Sequence, residues 1–389
     1  MSNIFNMVSE ETFIEKLDTQ NALLAAIMEN AGGSIKPTSW AQVQTLVRAG
    51  LASRVFAIGD QLTMHRGNAT LVWDIIGIDH DTPTDPQFTH SMTLQLHDCF
   101  DGTQFDNKEA FFFCESALPA GTYKFTVGAH SWVSGDVGKT FQFTLTTQVP
   151  AGGQLVFNNA YNVTFANATL SSYASRTSTT ALETVTMTEG SGGSSLGTFN
   201  NEINGNVNSC QRALLGSNNY KESAMRQFLN SAAAAGSVWT PQTKFDRPPS
   251  WVTSLAGWKN GMDADFLAVL GETHIVVSRN TVCDGGGSDE MDDTFFLLSR
   301  REIYAGNEVG NVIEGEPYPY YSDYSDLPAA GTGNDTNRIK YRNGSAQYWW
   351  LRSPYAGHGS LVRYVGTAGN INLNYANNSH GVAPACNII

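Results

Sequence analysis

Charge is what this chain has least of. Only 15% of its 389 residues are Asp, Glu, Lys or Arg, and the basic ones are the scarcer: 23 against 36, a formal net charge of −13. Such a surface repels phosphate backbones and anionic lipid, which argues against nucleic acid and membrane surfaces as partners. Long apolar runs are missing too, so no stretch reads as membrane-spanning. The start, MSNIFNMVSEETFIEKLDTQ, lacks a basic segment followed by an apolar one. The expectation is therefore a chain made in the cytoplasm without a signal peptide. Cysteines number five, Cys99, Cys114, Cys210, Cys283 and Cys386, at no metal-ligand spacing. An odd, scattered set argues for buried reduced thiols over a disulfide framework or a zinc site.

What is present suits strands and turns: 37 Gly, 11% aromatics and 41% hydrophobic residues, enough to fill more than one core. Residues 4–30 carry Phe5, Phe13, Ile14, Leu17, Leu23, Leu24 and Ile27 near helical spacing, which predicts a docking helix that Gly32 and Gly33 end. Ser39 is placed to cap a second helix carrying Val43, Leu46 and Val47. The period then changes to two. VFAIGDQLTM, TLVWDIIGID and SMTLQLHDCF read as three strands, and the alternation continues through FFFCESALPAGTYKFTV, KTFQFTLTTQVPAGGQLVF and ALETVTMTEG. The repeated Pro-Ala-Gly turn before an alternating strand points to a small β-sandwich over roughly 105–190. SGGSSLGTFNNEINGN marks a boundary. Beyond it, NSCQRALL and NNYKESAMRQFLNSAAAA read as helices, the second capped by Asn218 or Asn219 with Glu222 in its first turn. ADFLAVLG, THIVVS and DDTFFLLS read as strands or buried segments, and 314–347 as a Tyr/Gly/Asp loop region.

The segment from Tyr348 onward differs from the rest. A rigid block, YWWLRSP, opens it, and GVAPACNI closes it. Between them, from Tyr355 to His380, there is no Lys, Glu, Gln, Met or Trp. Ordinary usage would put roughly five there. Those are residues that an AAC codon for Asn cannot become by changing its adenines alone. Asn370, Asn372, Asn374, Asn377 and Asn378 remain Asn, while Tyr, His, Leu and Arg are scattered among them at surface-like spacing. The pattern fits mutagenesis aimed at adenines.

With WWLRSP before it and an xGVxPA ending after it, the segment resembles the variable proteins of diversity-generating retroelements. In these a reverse transcriptase copies a template into the 3′ end of a target gene with adenine-specific errors. YKESAMRQFLNS is similar to the family's W-x-x-S-x-L-R-x-W-L-N helix, DDTFFLLSRREIY to its F-LLS strand, and VFAIGDQLTM with LVWDIIGID to its opening strands. His380-Gly381-Val382-Ala383-Pro384-Ala385 stands where the family often has Asn-Gly-Val-Arg-Pro-Ala. That makes His380 a diversified position, and Ala383 removes a possible framework ion pair. The resemblance implies an α+β protein with a C-type-lectin-like carboxy-terminal domain. Its parts are a helical docking segment at 1–52, first lectin-like strands at 53–104, an inserted β-rich segment at 105–195, and the rest of the lectin-like domain at 196–389.

On that resemblance the ligand-binding residues are Tyr355, Gly357, His358, Ser360, Leu361, Arg363, Tyr364, Leu373, Tyr375 and His380, exposed together on one face over a buried Trp350, Leu351, Val382 and Ile388. Implied partners are a protein or glycan receptor on a target cell, tail or virion components, and a homo-oligomer such as a trimer. The implied location is a phage tail or a bacterial surface. A structural tail or fibre protein without a diversified site is the alternative.

Catalysis and cofactors are not expected. Asp79, His80, Asp81, His90, His97 and Asp98 hold metal-ligand chemistry, but at no standard spacing. DGGGSDEMDD at 284–293 lacks the alternating acids of an EF-hand and reads as a solvated loop. E-P-N, Q-P-D and W-N-D, the calcium motifs of sugar-binding lectins, do not occur. Formylglycine-generating enzymes share the broader lectin-like fold but need a pair of reactive cysteines near the carboxy end, where only Cys386 lies.

Overall fold

The computed structural model describes residues 37–128, 134–158, 165, 168–178, 183–200, 205–303, 306–321 and 336–389. The helix expected over 4–30 lies outside them. The chain is mixed α+β, with strands dominating. Ser39 caps the helix α1 (Trp40–Arg48) as expected, its side chain accepting the Gln42 N–H while Val43, Leu46 and Val47 turn inward. The strand expected over 55–64 begins late: Ala52–Val55 is a helical turn, α2, and β1 covers Gln61–Arg66. Gly59 explains the delay, because its φ of 92° belongs to a turn and breaks the extended run.

β2 (Ala69–Ile78), β3 (Met92–Leu96) and β4 (Phe100–Gln104) follow. The next strands are β5 (Phe112–Phe113), β6 (Gly121–Val127), β7 (Thr140–Leu145), β8 (Gln154–Phe157), β9 (Thr169–Ala174), β10 (Thr184–Thr186), β11 (Thr188–Glu189) and β12 (Ser194–Phe199). They form two four-stranded sheets, ordered β10-β9-β8-β5 and β11-β7-β6-β12. Alternate residues of β6 and β7 point inward, and Phe125, Phe141, Phe143, Phe157 and Phe199 meet between the sheets in a phenylalanine-rich core.

After the sandwich come helices α3 (Cys210–Leu215) and α4 (Ala224–Asn230). The cap of α4 is Ser223, whose hydroxyl accepts the Arg226 N–H, not Asn218 or Asn219. Asn218 is unavailable because its carboxamide is taken up by distant carbonyls, as described below. ADFLAVLG divides into the short helix α5 (Ala264–Leu267) and β13 (Leu270–Gly271). β14 (Thr273–Ser278) pairs with β15 (Ser288–Asp293), and β16 (Phe295–Phe296) follows. The acidic run at 284–293 is thus mostly strand and not a solvated loop. Its Asp293 is buried against Arg226 and its half-buried Asp284 pairs with the buried Arg212, so ion pairing offsets part of the cost of ordering it.

The chain ends with the hairpin β17 (Lys340–Arg342) and β18 (Ser345–Gln347), then β19 (Trp349–Pro354), β20 (Leu361–Val365), β21 (Ile371–Tyr375), β22 (Ser379–Val382) and β23 (Ala385–Ile388). These last strands bind the two ends of the described chain together. One sheet runs β1-β2-β3-β23-β13, with β16 also on β23; another runs β21-β20-β19-β22-β4. A single core of Trp73, Ile75, Leu94, Phe228, Trp258, Phe295, Trp350 and Ile388 lies between these elements. The sandwich is therefore spliced into a unit made from both sides of it. Among the described residues no helix is long and apolar enough to cross a membrane.

Candidate functional site

β19 is the anchor of the carboxy-terminal sheet, and all six of its residues are buried. Trp349 donates its indole N–H to the Arg338 carbonyl and Trp350 to the Thr103 carbonyl, each at 2.9 Å, which satisfies both rings inside the core. Arg352 clamps Glu302 bidentately, with both N···O distances 2.6 Å, and donates also to the Leu297 and Glu314 carbonyls. Ser353 donates to the Glu314 carboxylate at 2.7 Å. Burial pushes the Glu302 and Glu314 carboxyls up; Arg352 holds them back. WWLRSP is thus a self-satisfied polar and aromatic frame.

β20 and β21 extend from this frame as a hairpin, with Leu361 opposite Tyr375, Val362 opposite Asn374, Arg363 opposite Leu373 and Tyr364 opposite Asn372. Side chains alternate between the faces of a sheet. Tyr364, Asn372 and Asn374 therefore occupy one face, and Leu361, Arg363, Leu373 and Tyr375 the other. The single-face arrangement expected for these residues is corrected by this register.

Four expected surface residues are also buried. Tyr375 packs into the sandwich core, with Leu361 half-buried against it. His358 and Ser360 lie in the turn between β19 and β20, and that turn is tied down. The Asn218 amide donates to the His358 carbonyl at 2.6 Å and to the Leu361 carbonyl at 2.9 Å, and Gln211 accepts the Gly359 N–H. A Cβ at Gly359 would sit 2.3 Å from the Cys283 sulfur, so only glycine lets the turn approach this closely. Burial pushes the His358 imidazole down to about 4. His380 is buried against Trp350, ring centroids 4.3 Å apart, and burial holds it near 4 as well. Gly357 is exposed, and Tyr355, Leu361, Arg363, Tyr364 and Leu373 are half-buried. Arg363 is held by Glu308 through two bonds of 2.7 and 2.9 Å and stacks over the Tyr355 ring. Trp350, Leu351, Val382 and Ile388 are buried, as expected of the frame.

The accessible chemistry gathers on the other face. Tyr348, 46% exposed, meets Tyr364 edge-on at 5.4 Å and His380 at 5.4 Å. Asn374 bonds the His380 Nε2 at 2.8 Å, and Asn378 donates to the Asn374 carbonyl oxygen at 2.6 Å. The result is a compact face of aromatic rings and carboxamides above Trp350, and among the described residues these contacts involve no Lys, Arg, Asp or Glu. Tyr348 was missed because it precedes the Lys- and Glu-free window; its place two residues before Trp350 was the available signal. Along the hairpin's outer edge, Asn372 accepts the Leu373 N–H at 2.8 Å and Asn374 the Tyr375 N–H at 2.9 Å.

The histidines near residue 90 stay apart: His80 bonds Asp81, His90 bonds Asp79 and His97 bonds Asp74. Among the described residues no group of three or more His, Cys, Asp or Glu is placed to hold a metal ion. Four of the cysteines are buried and Cys283 is half-buried; burial raises the Cys386 thiol well above its ordinary value.

Residues 153–389, more than half of the chain, match the family described as Domain of unknown function (DUF6273). The chain belongs to this DUF6273 family. The matched stretch begins at the strand β8, inside the sandwich, and takes in every strand of the carboxy-terminal sheet except β4. No curated protein and no solved structure matches the chain.

Proposed function

We propose that this DUF6273 protein binds other molecules through the face built by Tyr348, Tyr364, Asn372 and Asn374, and that it is not an enzyme. On this reading the scaffold is C-type-lectin-like, and the hairpin β20–β21 is the part diversified by adenine-specific copying. The partner is a protein or glycan receptor, and the protein is carried on a phage tail or a bacterial surface. The observation that supports it most is the contrast within one sheet. An almost half-exposed Tyr348 meets Tyr364 and His380, whose rings pack on a fully buried Trp350, and the Asn374 carboxamide bonds His380 beside them. Rigid aromatic side chains beside adaptable polar ones are how paratopes gain contact area at low entropic cost.

Sequencing the locus from many isolates tests the reading. Expected is a reverse-transcriptase gene beside a near-copy of the 3′ end, with differences between isolates at template adenines in codons 355–380, Tyr364 and Asn372 among them. Differences spread evenly over the gene, with no such template, would overturn it. The burial of His358, Ser360, Tyr375 and His380 favours a second reading, a structural tail or fibre protein without a diversified site. The same sequencing separates the two.

A further inference from the structure

Two adjoining hollows, of about 290 and 330 Å³, open beside Pro37, the first of the described residues. Pro37, Gln61 and Leu62 line both; Trp40 and Val43 of α1 add to one, and Val55 and Phe56 at the end of α2 to the other. Trp40, Phe56 and Leu62 pack on the main core from outside and stay half-buried, and Ile58 next to them is 36% exposed. Single exposed apolar residues are ordinary, whereas a contiguous apolar lining marks a surface that another element covers. Among the described lining residues Asp60 alone is charged, and it is exposed, so an apolar group can enter without stranding an ion.

The strand edge gives the same indication. β1 is an edge strand of its sheet. Near its carboxy end, the His65 N–H donates to the Asp263 carboxylate and the Asp263 N–H to the His65 carbonyl, which closes that part of the edge. Gln61 and Thr63, four and two residues earlier and turned the same way, line the hollows instead. Native sheets cover such edges with a helix or a loop.

The chain carries a segment that suits the task. Six residues, 31–36, join Pro37 to Asn30, the end of the apolar stripe read over 4–30. A link of that length reaches at most about 25 Å, and Gly32 and Gly33 let it turn back. At helical spacing Phe13, Leu17, Leu24 and Ile27 share one face, about 21 Å from first to last, while Glu15, Thr19, Ala22 and Ala26 share the opposite one.

We propose that the face formed by Trp40, Val55, Phe56, Ile58 and Leu62 is the docking site for the apolar stripe of residues 4–30 of the same chain. The short link favours this occupant over any free one, because it holds the stripe near the face at an effective concentration in the millimolar range. An assembly that takes hold of the stripe must first draw it off this face.

Cysteine cross-linking in the full chain tests this. Thr63→Cys, on the exposed rim of one hollow, is combined with single cysteines along the stripe, and the disulfides formed on mild oxidation are located by peptide mapping. Phe13→Cys, Leu17→Cys, Leu24→Cys and Ile27→Cys should each give at least about threefold more cross-link to position 63 than Glu15→Cys, Thr19→Cys, Ala22→Cys and Ala26→Cys, since only the first set shares the docking face. The product should stay within one chain, so a mixture of isotope-labelled and unlabelled protein should yield no mixed pairs. Hydrogen exchange supplies a second readout. With Leu17→Asp and Leu24→Asp together, residues 55–63 should exchange about tenfold faster than in the parent, while β6 stays unchanged as a check on the fold. Equal cross-linking around the stripe, or none, would overturn the proposal. Mixed pairs would overturn it in favour of a second copy of the chain, and unaltered exchange over 55–63 in favour of an outside partner for the stripe.

Discussion

β19 and the hairpin β20–β21 are neighbours in one sheet, yet they obey different rules. Every residue of β19 is buried and each polar one is answered: Arg352 by Glu302, Ser353 by Glu314, both indoles by carbonyls. In the hairpin, burial depends on which way each side chain turns. Val362 is closed over by the main core and Tyr375 by the sandwich, while Tyr364 and Leu373, two positions along the same strands, are half-open. Tolerance to substitution is therefore set by what stands behind a residue, and it changes from one position to the next. A variable stretch on such a hairpin cannot be uniformly free.

Trp350→Ala should break the frame most severely. Loss of a fully buried ring with its hydrogen bond is expected to cost roughly 3–5 kcal/mol in chemical denaturation. A loss within about 1 kcal/mol would place Trp350 outside the working core. Glu302→Gln follows. It leaves Arg352 buried beside a neutral amide, and breaking such a pair costs roughly 3 kcal/mol or more. Because Ser353 and Glu314 belong to the same network, Glu302→Gln and Ser353→Ala should be non-additive in a double-mutant cycle. Strict additivity would mean that the two bonds act separately.

Titration gives an intermediate effect. Glu109 is buried, and burial pushes its carboxyl up to about 7, the nearby Arg212 opposing. A raised carboxyl favours the protonated fold, so its contribution is full below its unfolded value near 4.5 and is lost as pH rises through about 7. His358 and His380 run the other way. Held near 4 by burial, they stabilise fully above their unfolded value near 6.5, and that contribution is lost as pH falls through about 4. The windows overlap, and two histidines outweigh one carboxyl, so melting temperature should rise with pH to about 6.5 and fall from there to about 7; Glu109→Gln should remove that fall and steepen the rise. A flattened acid side in that variant would contradict the assignment. The smallest effect is expected at Tyr364→Ala, on the order of 1 kcal/mol, as for a half-buried ring that packs on the core from one side. A loss as large as that of Trp350→Ala would erase the distinction between frame and hairpin.

Much of the frame was legible because its signals are local. Ser39 stands directly before the apolar positions it caps, and period-two alternation marks the sandwich strands Gly121–Val127 and Thr140–Leu145. The errors share a cause of another kind. Asn218 has the chemistry of a helix cap, but its carboxamide is claimed by carbonyls about 140 residues away in sequence, and Ser223 caps instead. His358 and Ser360 look like turn residues and are buried because Asn218 and Gln211 draw their turn inward. Acidic residues at 284–293 read as solvated until Arg212 and Arg226 arrive from separate helices. Long-range partners leave no periodicity behind.

The asparagines on the outer edge of β21 carry a further consequence. A sheet edge with open N–H groups is a template on which another chain can add a strand, the first step of aggregation. Asn372 and Asn374 cover the Leu373 and Tyr375 N–H groups with their own side chains, and Asn378 braces Asn374 in place. If the hairpin is the diversified element, these adenine-rich codons are both the raw material for new binding surfaces and the guards of the edge. A library of such proteins would then be limited from within. Variants that convert both asparagines to β-branched residues gain novelty in recognition and lose the barrier that keeps copies of the chain from joining edge to edge.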